Sequence, residues 1–353
     1  MNSSGSLSYL KTFSHIYIEE QAAAYSAAVR IQNRYPDAVR VPIRHYKDMF
    51  NRPRQDYSLQ KQSPKLILAV KKGRLVYPGA PVCQDFGSRH FYYTSSIMNC
   101  LYDCEYCYLQ GMYPSANLVI FVNLDDIFRE VEQLLEQHPV YLSVSYDTDL
   151  LALEQLTGYL DRWCRFTPAH AGVTIEVRTK AANVRAIRQL PPCERVIFAW
   201  TLSPETVIRR FEHHTPSLAA RLEAARTAGE AGFSLRLCFD PLIRTEDFSR
   251  TAEPFLRQVF TEIPPDMVRD ASIGVFRVSD SYLKAMRRNR PDSVITQYPY
   301  ENDGGVCHYG RDRSAGMAEL YRRLLSPYLA ESQIFLWEEN HKESGEARHE
   351  GNE

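Results

Sequence analysis

The stretch from Ile97 to Gln110 reads IMNCLYDCEYCYLQ, and it determines how the rest of the chain is interpreted. Cys100, Cys104 and Cys107 lie within eight residues, separated by gaps of three and two residues. Clustered thiols in a chain of this size are typical of metal or redox sites. A structural zinc site usually takes four protein ligands, so three cysteines indicate a metal centre with an incomplete set of protein ligands.

Composition and charge narrow the class of protein. A chain of 353 residues with 44% hydrophobic residues can bury a substantial core. It has no apolar run of about 18 residues, and its start lacks the basic and apolar regions of a secretory signal. We therefore expect a cytoplasmic protein with no membrane contact. Its eight cysteines are too few for a disulfide scaffold of this length, and its net charge of −1 excludes a globally basic nucleic-acid binder.

Basic residues are nevertheless concentrated in two segments. The first group is Lys61, Lys65, Lys71, Lys72 and Arg74, and the second group is Lys284, Arg287, Arg288 and Arg290. Such groups usually form a solvated surface, but with a nucleic-acid partner they would follow the phosphate backbone.

From about residue 90 onward, apolar runs of strand length alternate with amphipathic helical stretches. The predicted strands are His90–Ser96, Val140–Ser145, Gly172–Thr179, Arg195–Leu202, Phe233–Asp240 and Ala271–Val278. Runs rich in Val, Ile, Leu and Phe are typical of parallel strands buried on both faces. The alternation predicts six βα units in an open sheet or a partial barrel, with the chemistry at the carboxyl ends of the strands. The three cysteines follow the first of these strands.

Residues typical of helix starts and ends lie between the predicted strands and support the prediction of βα units. A helix over Asp125–Gln137 follows a plausible cap at Asn123, and a second apolar stripe follows Asp149. Ser217 begins a helix that Gly232 can end.

The order of elements divides the chain into four segments. Residues 1–85 are predicted to form a small α/β extension, with a helix over Gln21–Gln32 and strands at His15–Glu20, near Ala38–Val41 and at Lys65–Val70. Residues 86–285 form the barrel, residues 286–338 a helical or irregular segment, and the polar residues 339–353 a disordered tail.

Three thiolates on one short loop can bind three irons of a four-iron, four-sulfur cluster. The fourth iron then stays open to a substrate or a cofactor. Two alternatives remain at this point: a zinc site completed by Cys83 or His90, and structural cysteines that bind nothing.

The CxxxCxxC loop after a first barrel strand resembles that of the radical S-adenosylmethionine (radical SAM) superfamily. The resemblance implies an α/β fold with a partial (βα)6 TIM-like barrel, here preceded by the small α/β extension. It also implies two cofactors, a [4Fe–4S] cluster on Cys100, Cys104 and Cys107, and S-adenosylmethionine (SAM) on the open iron. In that superfamily one electron from the cluster cleaves SAM to methionine and a 5′-deoxyadenosyl radical.

A closer resemblance rests on short runs around the motif. The runs YCYLQ at 106–110, VNLDDIF at 122–128, IYIEE at 16–20 and RTK at 178–180 resemble the spore photoproduct lyase family. Members of this family revert a thymine dimer of spore DNA by radical chemistry. Scattered similarity extends over most of residues 15–325.

The resemblance assigns roles to three tyrosines. Residues equivalent to Tyr106 and Tyr108 carry the radical back toward the cofactor in that family, although simple packing is the alternative here. The family's hydrogen-donor cysteine has no counterpart in SVSYDTD at 143–149, where Tyr146 lies near the expected position. Tyr146 could replace the donor, and Cys238 and Cys307 are other candidates.

Residues after the barrel strands are expected to contact SAM. The candidates are Ser145, Thr148, Asp149, Lys180 and Ser203. Lys180 matches the family's lysine on the side of the methionine carboxylate, where a compact cation can pair with it. The alternatives are a helix cap for Asp149 and a solvated charge for Lys180. Glu176 and Arg178 share a strand face and can form an ion pair instead of binding a ligand.

The sequence therefore predicts a radical SAM enzyme of the lyase type that acts on a damaged or modified thymine in nucleic acid. Damaged DNA and a reducing protein such as flavodoxin or ferredoxin are the expected partners. One alternative is a radical SAM enzyme with the same scaffold and a different substrate, which the missing cysteine favours. The other is a non-catalytic, cluster-containing protein that binds DNA or another partner.

Overall fold

The computed structural model of the protein describes residues 12–80 and 83–337. Its strands are β1 (His15–Glu19), β2 (Val39–Ile43), β3 (Leu66–Ala69), β4 (Val76–Pro78), β5 (Phe91–Thr94), β6 (Ile97–Met98), β7 (Asp103–Cys104), β8 (Leu118–Phe121), β9 (Val140–Ser143), β10 (Val173–Thr179), β11 (Val196–Thr201), β12 (Glu212–His213), β13 (Ser234–Leu242), β14 (Val268–Val275), β15 (Arg277–Ser279), β16 (Glu301–Asp303), β17 (Val306–His308) and β18 (Ile334–Leu336).

The helices between these strands vary from one turn to four turns. They are α1 (Ser26–Arg34), α2 (Lys47–Phe50), α3 (Tyr57–Gln62), α4 (Leu109–Met112), α5 (Leu124–Leu135), α6 (Leu150–Thr157), α7 (Tyr159–Ala169), α8 (Val184–Ile187), α9 (Glu205–Phe211), α10 (Leu218–Glu230), α11 (Phe248–Glu262), α12 (Asp280–Asn289) and α13 (Arg311–Leu325). Among the described residues no helix has the length and apolar character needed to cross a membrane.

The main sheet contains the six predicted strands in their predicted order. It runs β18-β14-β13-β11-β10-β9-β5-β4, and every neighbouring pair from β5 to β18 is parallel. Only β4 is antiparallel to its neighbour. All six residues of β11 are buried, as expected for a parallel strand covered on both faces. The prediction of six parallel βα units is confirmed, and β18 and β4 extend the sheet by two strands that the sequence did not indicate.

A buried polar network shows that this sheet is curved. Arg236 on β13 binds both carboxylate oxygens of Asp270 on β14, and its Nη1 atom is 2.6 Å from Glu176 on β10. The same Nη1 atom donates to the hydroxyl of Tyr141 on β9, at 2.5 Å. Strands β9 and β13 are three positions apart, roughly 14 Å in a flat sheet. Their side chains meet because the sheet closes around a polar interior, as in a partial barrel.

The N-terminal segment forms a second sheet, with strand order β2-β1-β3-β8-β6. The predicted helix over Gln21–Gln32 is found as α1, shifted toward the C-terminus. The run LVIF of β8 was not predicted as a strand, yet it pairs in parallel with β3 and completes this sheet. The division of the chain at residue 85 stays a prediction, and the tail predicted at 339–353 lies outside the described residues.

A smaller antiparallel sheet, β15-β17-β16, lies beside α12. Helix α12 also packs closely on α4, which follows the cysteine loop. Gly111 permits this contact, because a Cβ atom there would lie 2.7 Å from the Cα atom of Tyr282. The segment predicted as helical or irregular at 286–338 thus contains α13 and the strands β16, β17 and β18.

Candidate active site

The cysteine loop lies at the carboxyl end of the barrel strands. It follows β5, and short strands pair on both sides of Cys100: β6 pairs with β8, and β7 pairs with β12. Cys104 is buried, whereas Cys100 and Cys107 are half-buried, and all three are free cysteines. The predicted position of the loop is therefore correct, and two sheets hold it in place.

Side chains from distant segments fix the loop backbone. The Nζ atom of Lys61 donates hydrogen bonds to the carbonyl oxygens of Cys100 and Tyr102, at 2.6 and 2.7 Å. Arg290, the residue after α12, donates to the carboxylate of Asp103 and forms an ion pair with it. These contacts set the shape of the loop without any ligand, which reduces the cost of ordering it on binding.

Two thiols of the loop, those of Cys100 and Cys104, are neutral in the protein alone. Burial raises the pKa of Cys100 and of Cys104 to about 12. A coordinated metal removes the proton from a thiol outright. No three His, Cys, Asp or Glu side chains of the described residues converge to hold one metal ion. A four-iron cluster does not require such convergence, because each cysteine binds a different iron.

Two residues considered as a fourth zinc ligand lie elsewhere. The Sγ atom of Cys83 is 3.5 Å from the hydroxyl oxygen of Tyr146. The ring of His90 stacks on the ring of His138, with ring centroids 3.9 Å apart. His90 directly precedes β5, so it lies at the amino end of that strand. Neither residue completes a tetrahedral site with the three cysteines, which disfavours zinc.

Lys180 follows β10 and faces the cysteine loop. Its Nζ atom lies 3.5 Å from the Sγ atom of Cys104 and donates to the hydroxyl of Tyr106 at 2.6 Å. It is also 3.7 Å from the carboxylate of Glu212, to which Tyr106 donates a hydrogen bond. Lys180 is thus a partly buried cation held between the loop and the barrel, and not a solvated charge.

The carboxylate of Glu212 is the centre of this group. It accepts hydrogen bonds from Ser203 at 3.0 Å and from Arg221 at 2.5 Å, in addition to that from Tyr106. Burial favours the neutral acid, but the charges of Arg221 and Lys180 lower the pKa of Glu212 to about 2. We call Tyr106, Lys180, Ser203, Glu212 and Arg221 the Glu212 cluster. Its two cations and one carboxylate leave a net positive charge beside Cys104, which suits an anionic thiolate-bound group.

Two predicted SAM contacts hold the ends of the strands together. The hydroxyl of Ser145 donates to the carbonyl oxygen of Arg178 at 2.9 Å and accepts from its backbone N–H at 2.6 Å. Asp149 caps α6 and also accepts from the Thr179 hydroxyl and the Lys180 backbone N–H. Both side chains position the loop that carries Lys180.

Unlike Ser145 and Asp149, Thr148 has a side chain that makes no hydrogen bond to the described residues. Its Oγ1 atom is buried and has no hydrogen-bond partner among the described atoms. A buried hydroxyl without a partner is costly, so it marks a place where a ligand or water can bind. Of the residues predicted after β9, Thr148 is the one with unused hydrogen-bonding capacity.

Tyr108 and Tyr146 are in contact with each other, outside the Glu212 cluster. The hydroxyl of Tyr108 donates to the carbonyl oxygen of Tyr146 at 2.8 Å, and their ring centroids are 6.4 Å apart. Tyr93 stacks on Tyr146 at 4.2 Å. The structure therefore separates the predicted tyrosines: Tyr106 belongs to the Glu212 cluster, while Tyr108 joins Tyr146.

Sequence reasoning missed Glu212 and Arg221 in this region, and it considered Cys83 only as a fourth zinc ligand. Arg221 had a detectable signal, because it lies on the apolar face of α10 between Leu218 and Leu222. A buried arginine at such a position requires an acidic partner. Nothing in the sequence links Glu212 or Cys83 to the barrel, since both come from segments outside the strand ends.

Four residues of the two basic groups bind other parts of the protein. Lys61 binds the cysteine loop, and Lys71 donates to the carbonyl oxygen of Ser95 at 2.9 Å. Arg287 donates to backbone carbonyl oxygens of residues 296 and 298, and Arg290 binds Asp103. The expectation that these residues follow phosphates is therefore wrong for these four, whose charges are used inside the protein.

The other candidate donor cysteines are less well placed than Tyr146. Cys238 is fully buried on β13, beside Ser272 and two residues deeper in the barrel than Asp240. Cys307 lies in the small antiparallel sheet, where its thiol contacts Asn302. Neither thiol contacts the tyrosines of the loop.

A family model for spore photoproduct lyase matches residues 12–301 of the chain. The chain belongs to the spore photoproduct lyase family. The match covers the cysteine loop, the Glu212 cluster and all six predicted barrel strands.

One relative with this name aligns over most of the chain, and another over less than half of it. Spore photoproduct lyase of Bacillus subtilis (strain 168) is 21% identical over 338 residues, covering 90% of this chain and 96% of the relative. That of Geobacillus sp. (strain Y412MC61) is 27% identical over 155 residues, which span 43% of this chain and less than half, 46%, of the relative.

Solved structures of spore photoproduct lyase share the fold. One is described as complexed with dinucleoside spore photoproduct; it has a TM-score of 0.79 and 18% identity, and the match covers 93% of this chain and 99% of that chain. A variant with bound AdoMet and dinucleoside spore photoproduct has a TM-score of 0.77 at the same identity, covering 93% and 98%. The predicted α/β partial-barrel fold with an N-terminal extension is confirmed.

Proposed function

We propose that this protein is a radical SAM enzyme that repairs the spore photoproduct of thymine in DNA. The observation that carries the proposal is the cysteine loop, which strands of two sheets hold at the carboxyl ends of the barrel strands, beside the Glu212 cluster. Family membership and the relatives solved with a dinucleoside photoproduct support the substrate.

The residues present fit a [4Fe–4S] cluster and SAM. Cys100, Cys104 and Cys107 are three thiols on one fixed loop, with a cation near Cys104. Lys180 would hold the carboxylate of SAM, and Thr148 offers an unsatisfied hydroxyl. When bound, the cluster and SAM together supply a 5′-deoxyadenosyl radical that removes a hydrogen atom from the substrate.

The chain's own residues hold and shield the reacting groups. Asp149 and Ser145 fix the loop after β10, so Lys180 points to one place. The phenols of Tyr106 and Tyr108 contact Lys180 and Tyr146, and we assign them the radical-relay role of the family. Burial raises the pKa of Tyr106 well above its usual value, which keeps its hydroxyl hydrogen in place.

The substrate is proposed to reach the barrel as an extruded lesion. A dimer in duplex DNA must leave the stack to enter an enclosed site, and damage that weakens pairing lowers this cost. The remaining partner is a one-electron reductant of the flavodoxin or ferredoxin type. Both partners suit an enzyme that works in the cytoplasm.

A second candidate function is radical SAM chemistry on another substrate. It is favoured by the stretch 143–149, which contains no cysteine at the place where the family carries its hydrogen donor. A non-catalytic cluster protein is disfavoured, because a purely structural cluster would not need Lys180 or a relay of tyrosines near an open iron.

Cluster assembly and SAM binding test the proposal. Anaerobically reconstituted protein should bind close to four irons per chain. Its reduced form should give an electron paramagnetic resonance signal that changes when SAM is added. Cys104→Ala should abolish both results, and Cys193→Ala, at a half-buried cysteine before β11, should preserve them. One zinc per chain with no iron uptake would contradict the proposal.

A further inference from the structure

Cys83 presents a thiol at the mouth of the barrel, although it belongs neither to a strand nor to the cysteine loop. Its Sγ atom is 3.5 Å from the hydroxyl oxygen of Tyr146, just after β9. Three charged side chains act on this thiol: Arg178 near the end of β10, Asp240 near the end of β13, and Arg277 at the start of β15, just after β14. These residues all lie at or just beyond the carboxyl ends of strands, so the half-buried thiol faces the same region as the predicted chemistry.

The turn that carries Cys83 is fixed to the far edge of the barrel. Gln84 donates to the carbonyl oxygen of Leu336 on β18 at 3.2 Å, and the ring of Phe86 packs edge-on against Phe335 at 5.3 Å. The guanidinium of Arg236 lies 3.2 Å from the Phe86 ring centroid. Phe86 has a left-handed backbone with φ of 53°, a strain of roughly 1 kcal/mol or more that persists only where the surroundings enforce it.

Tyr146 connects this thiol to the cysteine loop. Its ring stacks on Tyr93, and its carbonyl oxygen accepts the hydrogen bond of Tyr108, which follows Cys107 directly. Tyr146 also occupies the stretch where the family's donor cysteine is expected. Cys83 therefore brings a sulfur atom to that place from a different segment of the chain.

We propose that Cys83 is the hydrogen-atom donor of the repair reaction and replaces the cysteine that the stretch after β9 lacks. The proposal rests on the proposed function and adds a catalytic residue to it. The S–H bond of Cys83 breaks and a C–H bond forms at the methyl carbon of the thymine radical, so the radical moves to sulfur. The Tyr146 hydroxyl then gives its hydrogen atom to Sγ. Tyr146 regains a hydrogen atom through Tyr108 and the proposed relay, from the 5′-deoxyadenosine that took the hydrogen atom of the substrate, so this step consumes no external electron.

The surroundings of Cys83 keep its thiol protonated, as hydrogen-atom donation requires. Burial raises the pKa of the Cys83 thiol, so at neutral pH it carries the hydrogen that must be transferred. The contact with Tyr146 places a second O–H hydrogen within reach of the sulfur. Cys238 and Cys307 lack a tyrosine contact of this kind in the described structure.

Isotope transfer tests the donor directly. The reconstituted holoenzyme is assayed with dinucleoside spore photoproduct in D2O, where thiol hydrogens exchange, and deuterium in the repaired thymine methyl group is measured by mass spectrometry. The unaltered enzyme should transfer one deuterium per repair. Cys83→Ala should lower repair at least tenfold while 5′-deoxyadenosine formation continues, and Cys193→Ala should match the unaltered enzyme.

Alkylation of the cluster-free protein gives an independent readout. The dinucleoside should slow the reaction of N-ethylmaleimide with Cys83 and leave Cys193 unprotected, as measured by peptide mass spectrometry. Unchanged repair and deuterium transfer in Cys83→Ala, or their loss in Cys238→Ala instead, would overturn the role of Cys83 and leave the proposed function intact. An unaltered enzyme that repairs no dinucleoside would overturn both.

Discussion

The phenol of Tyr106 donates a hydrogen bond to the carboxylate of Glu212, and both side chains are buried. Tyr106 lies between Cys104 and Cys107 in the sequence, whereas Glu212 comes from a short strand that pairs with Cys104 through the backbone. This polar contact joins the cysteine loop to β12 beside Lys180. Four predictions about the chain's own residues follow from this region and its neighbours.

Glu212→Gln should destabilise the protein strongly. The change removes the counter-charge of Arg221, whose side chain is fully buried, and breaking a buried ion pair costs about 3–5 kcal/mol. Urea unfolding of the cluster-free protein measures this cost. Glu253→Gln removes an exposed ion pair with Arg257 and should change the free energy of unfolding by less than about 1 kcal/mol. Equal stability of the two variants would show that the Glu212 cluster is not a structural centre.

Lys180→Met should weaken SAM binding without preventing cluster assembly. The cation is the group assigned to the SAM carboxylate, while Arg221 remains to balance Glu212. We expect the dissociation constant for SAM to rise at least tenfold, about 1.4 kcal/mol, with iron content unchanged. Lys284→Met, at an exposed lysine paired with Asp280, is the control. Unaltered SAM affinity in Lys180→Met would remove Lys180 from the SAM site.

Tyr106→Phe should uncouple SAM cleavage from repair. The ring remains and packs as before, but the hydroxyl that accepts from Lys180 and donates to Glu212 is lost. We expect repaired lesions per SAM consumed to fall about tenfold, with normal iron content. Tyr25→Phe, at an exposed tyrosine, should leave this ratio unchanged. A normal ratio in Tyr106→Phe would assign Tyr106 a packing role alone.

Lys71 should make stability depend on pH above neutrality. Burial lowers its pKa to about 8, so the folded protein releases this proton more readily than the unfolded chain, which keeps it up to about pH 10.5. The unfolded chain therefore binds more protons between these values, and folding stability rises with pH there. The unaltered protein should gain on the order of 2 kcal/mol relative to Lys71→Met between pH 7.5 and 9.5.

The control for this pH dependence is Lys72→Met, which changes the exposed neighbouring lysine. Its free energy of unfolding should parallel that of the unaltered protein over the same range. If the free energy of unfolding of Lys71→Met also parallels that of the unaltered protein over this pH range, the pKa of Lys71 is not lowered by burial as described.

The barrel was predictable because its signals are local. The barrel strands are short apolar runs, as β11 shows. Helix α10 begins after Ser217, whose hydroxyl accepts a hydrogen bond from the backbone N–H of Ala220. Gly232 has φ of 97°, a conformation that favours glycine at a helix end. These features follow from propensity and periodicity within a few residues.

Elements that depend on distant partners were missed or misread. The run LVIF of β8 was not recognised as a strand, because what makes it one is pairing with β3, about 50 residues earlier. Asn123 does precede α5 as predicted, but its side chain binds the backbone of Lys71 and does not cap the helix. Glu212 and Cys83 reach the site from segments with no chemical pattern of their own.

The central claim is that this chain repairs the spore photoproduct by radical SAM chemistry, and coupled product formation tests it most directly. Anaerobic holoenzyme is incubated with SAM, a reductant and dinucleoside spore photoproduct, and repaired dinucleoside and 5′-deoxyadenosine are quantified together. The account predicts repair that requires SAM and Cys104, with 5′-deoxyadenosine formed only when the cluster is present. Robust 5′-deoxyadenosine formation with no repair of the dinucleoside would contradict the substrate, and absence of both products would contradict the chemistry.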